Sequence, residues 1–257
     1  QTDATWSIQA KALSGRPMPD AVVTRRHTIS TRHIRPWDQP AGQAMLSIEP
    51  ARNVLRSITA QRGAGIKMTD YWFEPPAWAP WIVQQSSFGV DTSRISFPQH
   101  IEPKLGPNIS RTAKKLLALD EASAARFNVP IDRLNASLLK GFVAVDAAID
   151  LGIAIESLFS PTKQENGIGA GIRSRAARFL GGTIQQRTVI ANLVSDIYDL
   201  RSIAVHSGQI GGIGCRKKWR DENAVFSTLK EGQRLVGRAV IEMLDRGEPD
   251  WKEFDLG

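Results

Sequence analysis

A chain of 257 residues, 42% hydrophobic and 23% charged, has the length of one large domain or two small ones and the composition of an ordinary soluble globular protein. No apolar run approaches the ~20 residues that span a bilayer: the best candidate, 142–155, is broken by Asp146 and Asp150, and no charged-then-apolar leader stands at the start. The net charge of +7 favours an anionic partner, nucleic acid being the commonest, and the single Cys215 excludes an internal disulfide framework.

A cytoplasmic location without a membrane partner is therefore expected. With one cysteine and four scattered histidines, a zinc site of the usual kind is not, and no metal or cofactor is assigned. The first residue is Gln1 rather than Met, as in a fragment or a processed chain.

The chain changes character near residue 108. Before it lie nearly all the prolines and most of the tryptophans, as in EPPAWAPW (74–81). Short alternating segments, AVVTRRHTIS (21–30) and SRISF (93–97), predict strands, and ARNVLRSITAQRG (51–63) predicts one short helix. Residues 1–108 are thus expected to be a mixed or mostly β region, with the tryptophans of 72–81 in its core. From Ser110 the pattern is helical. A first helix is expected over 110–127, and after Pro130 a long one over 131–159. The apolar stripe of the long helix is Leu134, Leu138, Phe142, Val145, Ile149 and Ile153. A third helix covers roughly 168–180 and stops at Gly181-Gly182. A fourth runs from about 184 to 207 with Val189, Leu193, Ile197, Leu200 and Ala204 inward, and GQIGGIG (208–214) is a linker. The fifth, 222–246, carries Phe226, Leu229, Val236, Val240 and Met243. The expected fold class is α+β: an amino-terminal region 1–108, then a helical bundle over 109–257. No internal repeat or long low-complexity segment is present.

The stretch YDLRSIAVHSG (198–208) carries the candidate chemistry. At ~100° per residue, Arg201 and His206 stand about 140° apart, so they are not neighbours on one face. Tyr198, Asp199, Ser202 and His206 share the polar face, with Arg201 on its flank. Arginine is a permanent cation, histidine exchanges protons near neutral pH, and Ser202 adds a hydroxyl one turn before His206. Those groups suit a phosphodiester. Two similar spacings, Arg26 to His33 and Arg94 to His100, lie in the strand-like region, where no helix end focuses them.

Residues 198–208 resemble the HEPN superfamily signature, Arg-x4-6-His with a polar residue after the arginine, here Ser202. More narrowly they are similar to the Apea-like HEPN family, in which a tyrosine precedes the arginine by three. Two further segments agree in order. Residues 131–159 resemble that family's long helix ending in Ile155-Glu156-Ser157-Leu158, and ENGIGAGIRSRAARFL (165–180) resembles its next helix, with Arg175 at the usual arginine. The resemblance covers about 110–245 and departs at His206-Ser207-Gly208, where glycine usually follows histidine directly. It implies a bundle that often dimerises, bringing two motifs together. In active members it implies metal-independent RNA cleavage through attack of the 2′-hydroxyl, leaving a 2′,3′-cyclic phosphate, in defence or toxin–antitoxin settings. The residues agree with this: histidine moves protons and arginine stabilises phosphorane charge. One histidine cannot readily be acid and base at once, which a dimer resolves.

Other residues carry competing readings. Glu156 continues its helix's stripe and should point inward, orienting Arg201 or acting as an acid/base, or else pairing with Arg175 or Arg178. Arg216, Lys217, Lys218 and Arg220 are RNA-backbone contacts with Trp219 stacking on a base, or a basic loop whose Trp docks on the bundle. Arg175 is expected to be packed, Arg173 and Arg178 solvated, and Tyr198 to serve packing. The sequence thus predicts a HEPN-type endoribonuclease with Arg201, Ser202, His206 and Glu156 in its site. The rivals are a non-catalytic RNA-binding or protein-interaction module of the same fold, and a purely structural bundle bound to an acidic partner.

Overall fold

Caps written into the sequence decide where the main helices begin and end. The computed structural model describes residues 6–9, 22–25, 48–62, 105–140, 143–160, 168–211 and 216–256. These form β1 (Trp6–Gln9), β2 (Val22–Arg25), α1 (Ile48–Arg62), α2 (Gly106–Leu117), α3 (Glu121–Leu139), α4 (Ala144–Phe159), α5 (Ile168–Leu180), α6 (Ile184–Ser207), a 3-10 turn (Lys217–Arg220), α7 (Glu222–Arg246) and α8 (Trp251–Leu256). Asp120 starts α3 by accepting a hydrogen bond from the Ser123 N–H at 2.9 Å. Thr183 and Gln186 start α6 with a reciprocal capping box, and the Asp221 carboxylate starts α7 by accepting from the Asn223 N–H. Gly208, at φ 69°, ends α6 in the left-handed conformation, and its N–H donates to the Ala204 carbonyl.

Among the described residues the fold is all-α, which corrects the α+β expectation. Extended structure among the described residues is one antiparallel pair, β1 with β2, in which Trp6 lies opposite Arg25 and Gln9 opposite Val22. Four alternating residues suffice for such a pair but not for a sheet that could build a core. Of the strand expected over 21–30, residues 22–25 are described and form β2, while 93–97 and the tryptophans of 72–81 lie outside the described residues. From the same amino-terminal region, α1 packs into the bundle: Ala60 joins the main core, and Val54 and Ile58 meet Ile109 and Ala113 of α2.

Two helix boundaries also differ from expectation. The first helix stops at Leu117 because Asp120 leaves the helical conformation to cap α3, which then runs through Pro130. The single helix over 131–159 is two helices: Lys140 and Val143 depart from helical geometry between α3 and α4. The break re-phases the stripe. Val145, Ile149 and Ile153 are only half-buried, while Ala147, Leu151, Ala154, Ile155 and Phe159 are fully buried. Phe142 lies outside the described residues. Asp150, buried beside the break, is paired by Arg133 and Lys140, each at 3.0 Å, which ties α4 back to α3.

Helix α4 is the centre of the bundle, packed against α3, α6 and α7. Its small residues, and Gly232 of α7, let the helices approach closely; a Cβ on Gly232 would stand 2.5 Å from Ile197 Cδ1 and 2.7 Å from Leu151 Cδ2. Beside α4 and α5, Phe159, Phe179, Trp251 and Phe254 pack edge to face or tilted, and Arg175 pairs with Asp255 at 2.5 Å, fastening α8.

Gly237 reports on how α1 docks. A Cβ there would lie 2.6 Å from the Ala60 carbonyl oxygen, a backbone atom that cannot turn aside. Gly237→Ala is expected to cost about 1–3 kcal/mol, read as a lower urea midpoint. An unchanged midpoint would mean that α1 does not rest on α7.

Candidate functional site

Helix α6 presents the Arg-x4-His stretch with its inner face clamped. Ile190, Val194, Ile197, Leu200 and Ala204 are buried against the bundle. The expected inward set holds at its last three positions. Val189 instead is 66% exposed, because Ile190 and Val194 take the core positions in the first half of the helix. With the inner face fixed, Ser202 and His206 are exposed, one turn apart, on the outer side. Arg201, seven residues after Val194, lies at the margin of the inward face and is half-buried.

Arg201 leaves α6 by crossing α4. Its Nη1 donates to Glu156 Oε1 at 2.5 Å, and its side chain passes directly over Gly152, one turn before Glu156. A Cβ at 152 would meet Arg201 Cδ at 2.3 Å. Glycine in mid-helix costs roughly 0.5–1 kcal/mol relative to alanine, and here it opens the channel that the guanidinium uses. Glu156 therefore has the partner expected for it, and of the three arginines named as candidates it takes Arg201. Arg175 is the packed one, paired with Asp255 and donating to the Phe159 carbonyl at 3.3 Å; Arg178 lies over the Phe254 ring at 4.8 Å. The pair is not deeply buried, since both side chains are about 30% exposed. Breaking it should therefore cost about 1 kcal/mol or less.

Tyr198 closes the cluster from the turn of α6 before Arg201, whose guanidinium carbon is 5.9 Å from the ring centroid. The tyrosine hydroxyl and Arg201 Nε are both buried without a hydrogen-bond partner of normal geometry, although the hydroxyl is near enough to Glu156 to feel its charge. Burial first, and the Glu156 carboxylate second, push the phenol well above the usual tyrosine range, against the opposing charge of Arg201. Tyr198 is thus held towards its neutral form.

The basic segment after α6 folds back on the same helix. Arg216 pairs with Asp199 and Lys218 with Asp196, while Trp219 is buried and Lys218 lies over its ring at 4.5 Å. Trp219 thus docks on the bundle and is not available to stack on a base. Lys217 and Arg220 are exposed. Arg216, Lys217, Lys218 and Arg220 are matched in the surrounding sequence and on α6 by Asp196, Asp199, Asp221 and Glu222, so this surface is not a basic patch in net charge. On the other side of α6, Arg173 Nη1 donates to Ser195 Oγ at 3.2 Å.

Sequence reasoning did not single out Gly152, Asp196 or Ser195, and named Asp199 only as a face residue. The available signals were a glycine four residues before an inward carboxylate, and two carboxylates three apart facing a short basic run. Arg26, His33, Arg94, His100 and Cys215 lie outside the described residues. No group of three or more histidine, cysteine, aspartate or glutamate side chains able to hold a metal occurs among the described residues, and no described helix is long and apolar enough to cross a membrane. No protein-family model, curated protein or solved structure matches the chain.

Two outcomes test this geometry. A double-mutant cycle between Arg201 and Glu156 should give a coupling of roughly 0.2–1 kcal/mol that vanishes in a Gly152→Ala background. A coupling that survives Gly152→Ala would mean that Arg201 does not need the channel. Because the folded state holds the Tyr198 proton more tightly, its contribution is fully present below the unfolded value near 10 and is lost as pH rises above it. Tyr71 is the other tyrosine, so in Tyr71→Phe no tyrosinate absorbance should appear until the protein unfolds in alkali. Ionisation near pH 10 with the fold intact would contradict the environment described.

Proposed function

We propose that the protein is an endoribonuclease of the Apea-like HEPN type, acting as a homodimer in the cytoplasm as a defence or toxin effector, with α6 as its catalytic helix. The carrying observation is the division of labour at the end of α6: Arg201 is anchored to Glu156, whereas Ser202 and His206 are exposed beside the helix-ending Gly208. Cleavage joins the ribose 2′-oxygen to phosphorus, breaks the bond to the 5′-oxygen, and moves one proton off the first oxygen and one onto the second. His206 of one chain takes the first proton and His206 of the other supplies the second. Arg201, oriented by Glu156, stabilises the phosphorane oxygens, and Ser202 orients the imidazole. The imidazole and guanidinium fill these roles without a metal.

Val205 supports the dimer. It lies one turn after Arg201 on the same flank and is 58% exposed, an aliphatic surface that a two-fold contact near the end of α6 would cover. A second reading, a non-catalytic RNA-binding or protein-interaction module, draws on the same ion pair, since a guanidinium held by a carboxylate can be a tie between helices and nothing more.

The reaction separates the two. Incubated with labelled tRNA and mRNA in EDTA, the wild-type protein should produce fragments ending in 2′,3′-cyclic phosphate. Arg201→Ala and His206→Ala should each lower the rate by about 100-fold or more, and Ser202→Ala by less. RNA bound but left uncut would favour the second reading. Cleavage undiminished in His206→Ala would make the histidine a helix-end residue only.

A further inference from the structure

The outer face of α6 extends beyond the Arg-x4-His stretch. Ser195, Asp199, Ser202 and His206 are spaced by four, three and four residues, so they form one stripe along the helix, within about 60° of each other. At 1.5 Å per residue the stripe is about 16 Å long. It is bordered by a cation on each side. From α5, Arg173 reaches Ser195, and from the 3-10 turn region Arg216 reaches Asp199.

The two arginines are held differently. Arg173 is bonded to a neutral hydroxyl, which fixes its direction and leaves its charge uncancelled. Arg216 is held by one nitrogen to Asp199, and its side chain stays 74% exposed, so its other donors face solvent. Such an exposed pair is weak, and a phosphate oxygen can share or replace the carboxylate. Lys218 is different: besides its pair with Asp196 it lies on the buried Trp219, and it fastens the turn.

We infer that this stripe is the floor of a track for single-stranded RNA, with Arg173 and Arg216 contacting backbone phosphates on either side of it and Ser195 and Asp199 as their positioning residues. The inference rests on the nuclease reading for the identity of the strand's end at His206, and it adds the path by which the strand arrives. Polynucleotide chemistry suits the floor, because alternating hydroxyl, carboxylate and imidazole groups give hydrogen-bond partners for ribose and base edges. The flanking guanidinium groups take the repeating anion.

The test separates binding from cleavage. Fluorescein-labelled oligouridylate of about ten nucleotides is titrated with His206→Ala protein, and with the same protein carrying Arg173→Gln, Arg216→Gln or Lys230→Gln, at several salt concentrations. Lys230 is an exposed cation on α7. Each lost phosphate contact should reduce the slope of log affinity against log salt by about 0.7. The expected result is that reduction for Arg173→Gln and for Arg216→Gln, with no change for Lys230→Gln. Arg173→Lys should restore the slope, and circular dichroism should be unchanged throughout. Equal slopes in all four proteins, the same loss in Lys230→Gln, or no binding of RNA at all would overturn the track. The two arginine effects in a protein whose wild type cuts no RNA would leave the track standing and sink the nuclease.

Discussion

The placement of the candidate residues turns on one crossing, the Arg201 side chain over Gly152 to Glu156. It joins the flank of α6, a helix whose rotation is set by the burial of Ile190, Val194, Ile197, Leu200 and Ala204, to the central helix α4. Once Ile197, Leu200 and Ala204 are buried and Arg201 is held on one flank, Ser202 and His206 have only the outer face left. The position of the histidine is therefore a consequence of packing, and no direct bond to the arginine is required.

The crossing is itself moderate in strength, because both charges keep about 30% of their exposure. What makes it definite is shape: a glycine where any side chain would collide, and Tyr198 beside the guanidinium. The ties of Arg216 to Asp199 and of Lys218 to Asp196 act from the opposite flank, so α6 is steadied on both sides while Ser202 and His206 stay exposed.

The sequence was most informative where caps and glycines delimit helices. Thr183 with Gln186, Gly208, Asp221 and Gly247 mark α6 and α7 at the expected residues, and the pairing of Glu156 with an arginine followed from an inward carboxylate needing a cation. Legibility failed where periodicity ran across a break. The apolar repeat from Leu134 to Ile153 reads as one helix, yet Lys140 and Val143 interrupt it, and in its second half the expected stripe is only half-buried. Prolines and short alternating segments likewise suggested a β region, where the described packing comes from α1, the one short helix expected there over 51–63. The basic run at 216–220 shows a third limit: sequence displays the cations, and only the fold brings Asp196 and Asp199 across to them.

The central claim is that two copies of this helix end act on one phosphate. The most direct measurement is the RNA-cleaving rate of mixed dimers, purified with different affinity tags, in which one chain is wild type and the other carries Arg201→Ala with His206→Ala. The account predicts that such dimers are nearly as inactive as the doubly substituted homodimer, because each cleavage draws on both chains. Mixed dimers that retain half the wild-type rate would show that each helix end works alone, and would contradict it.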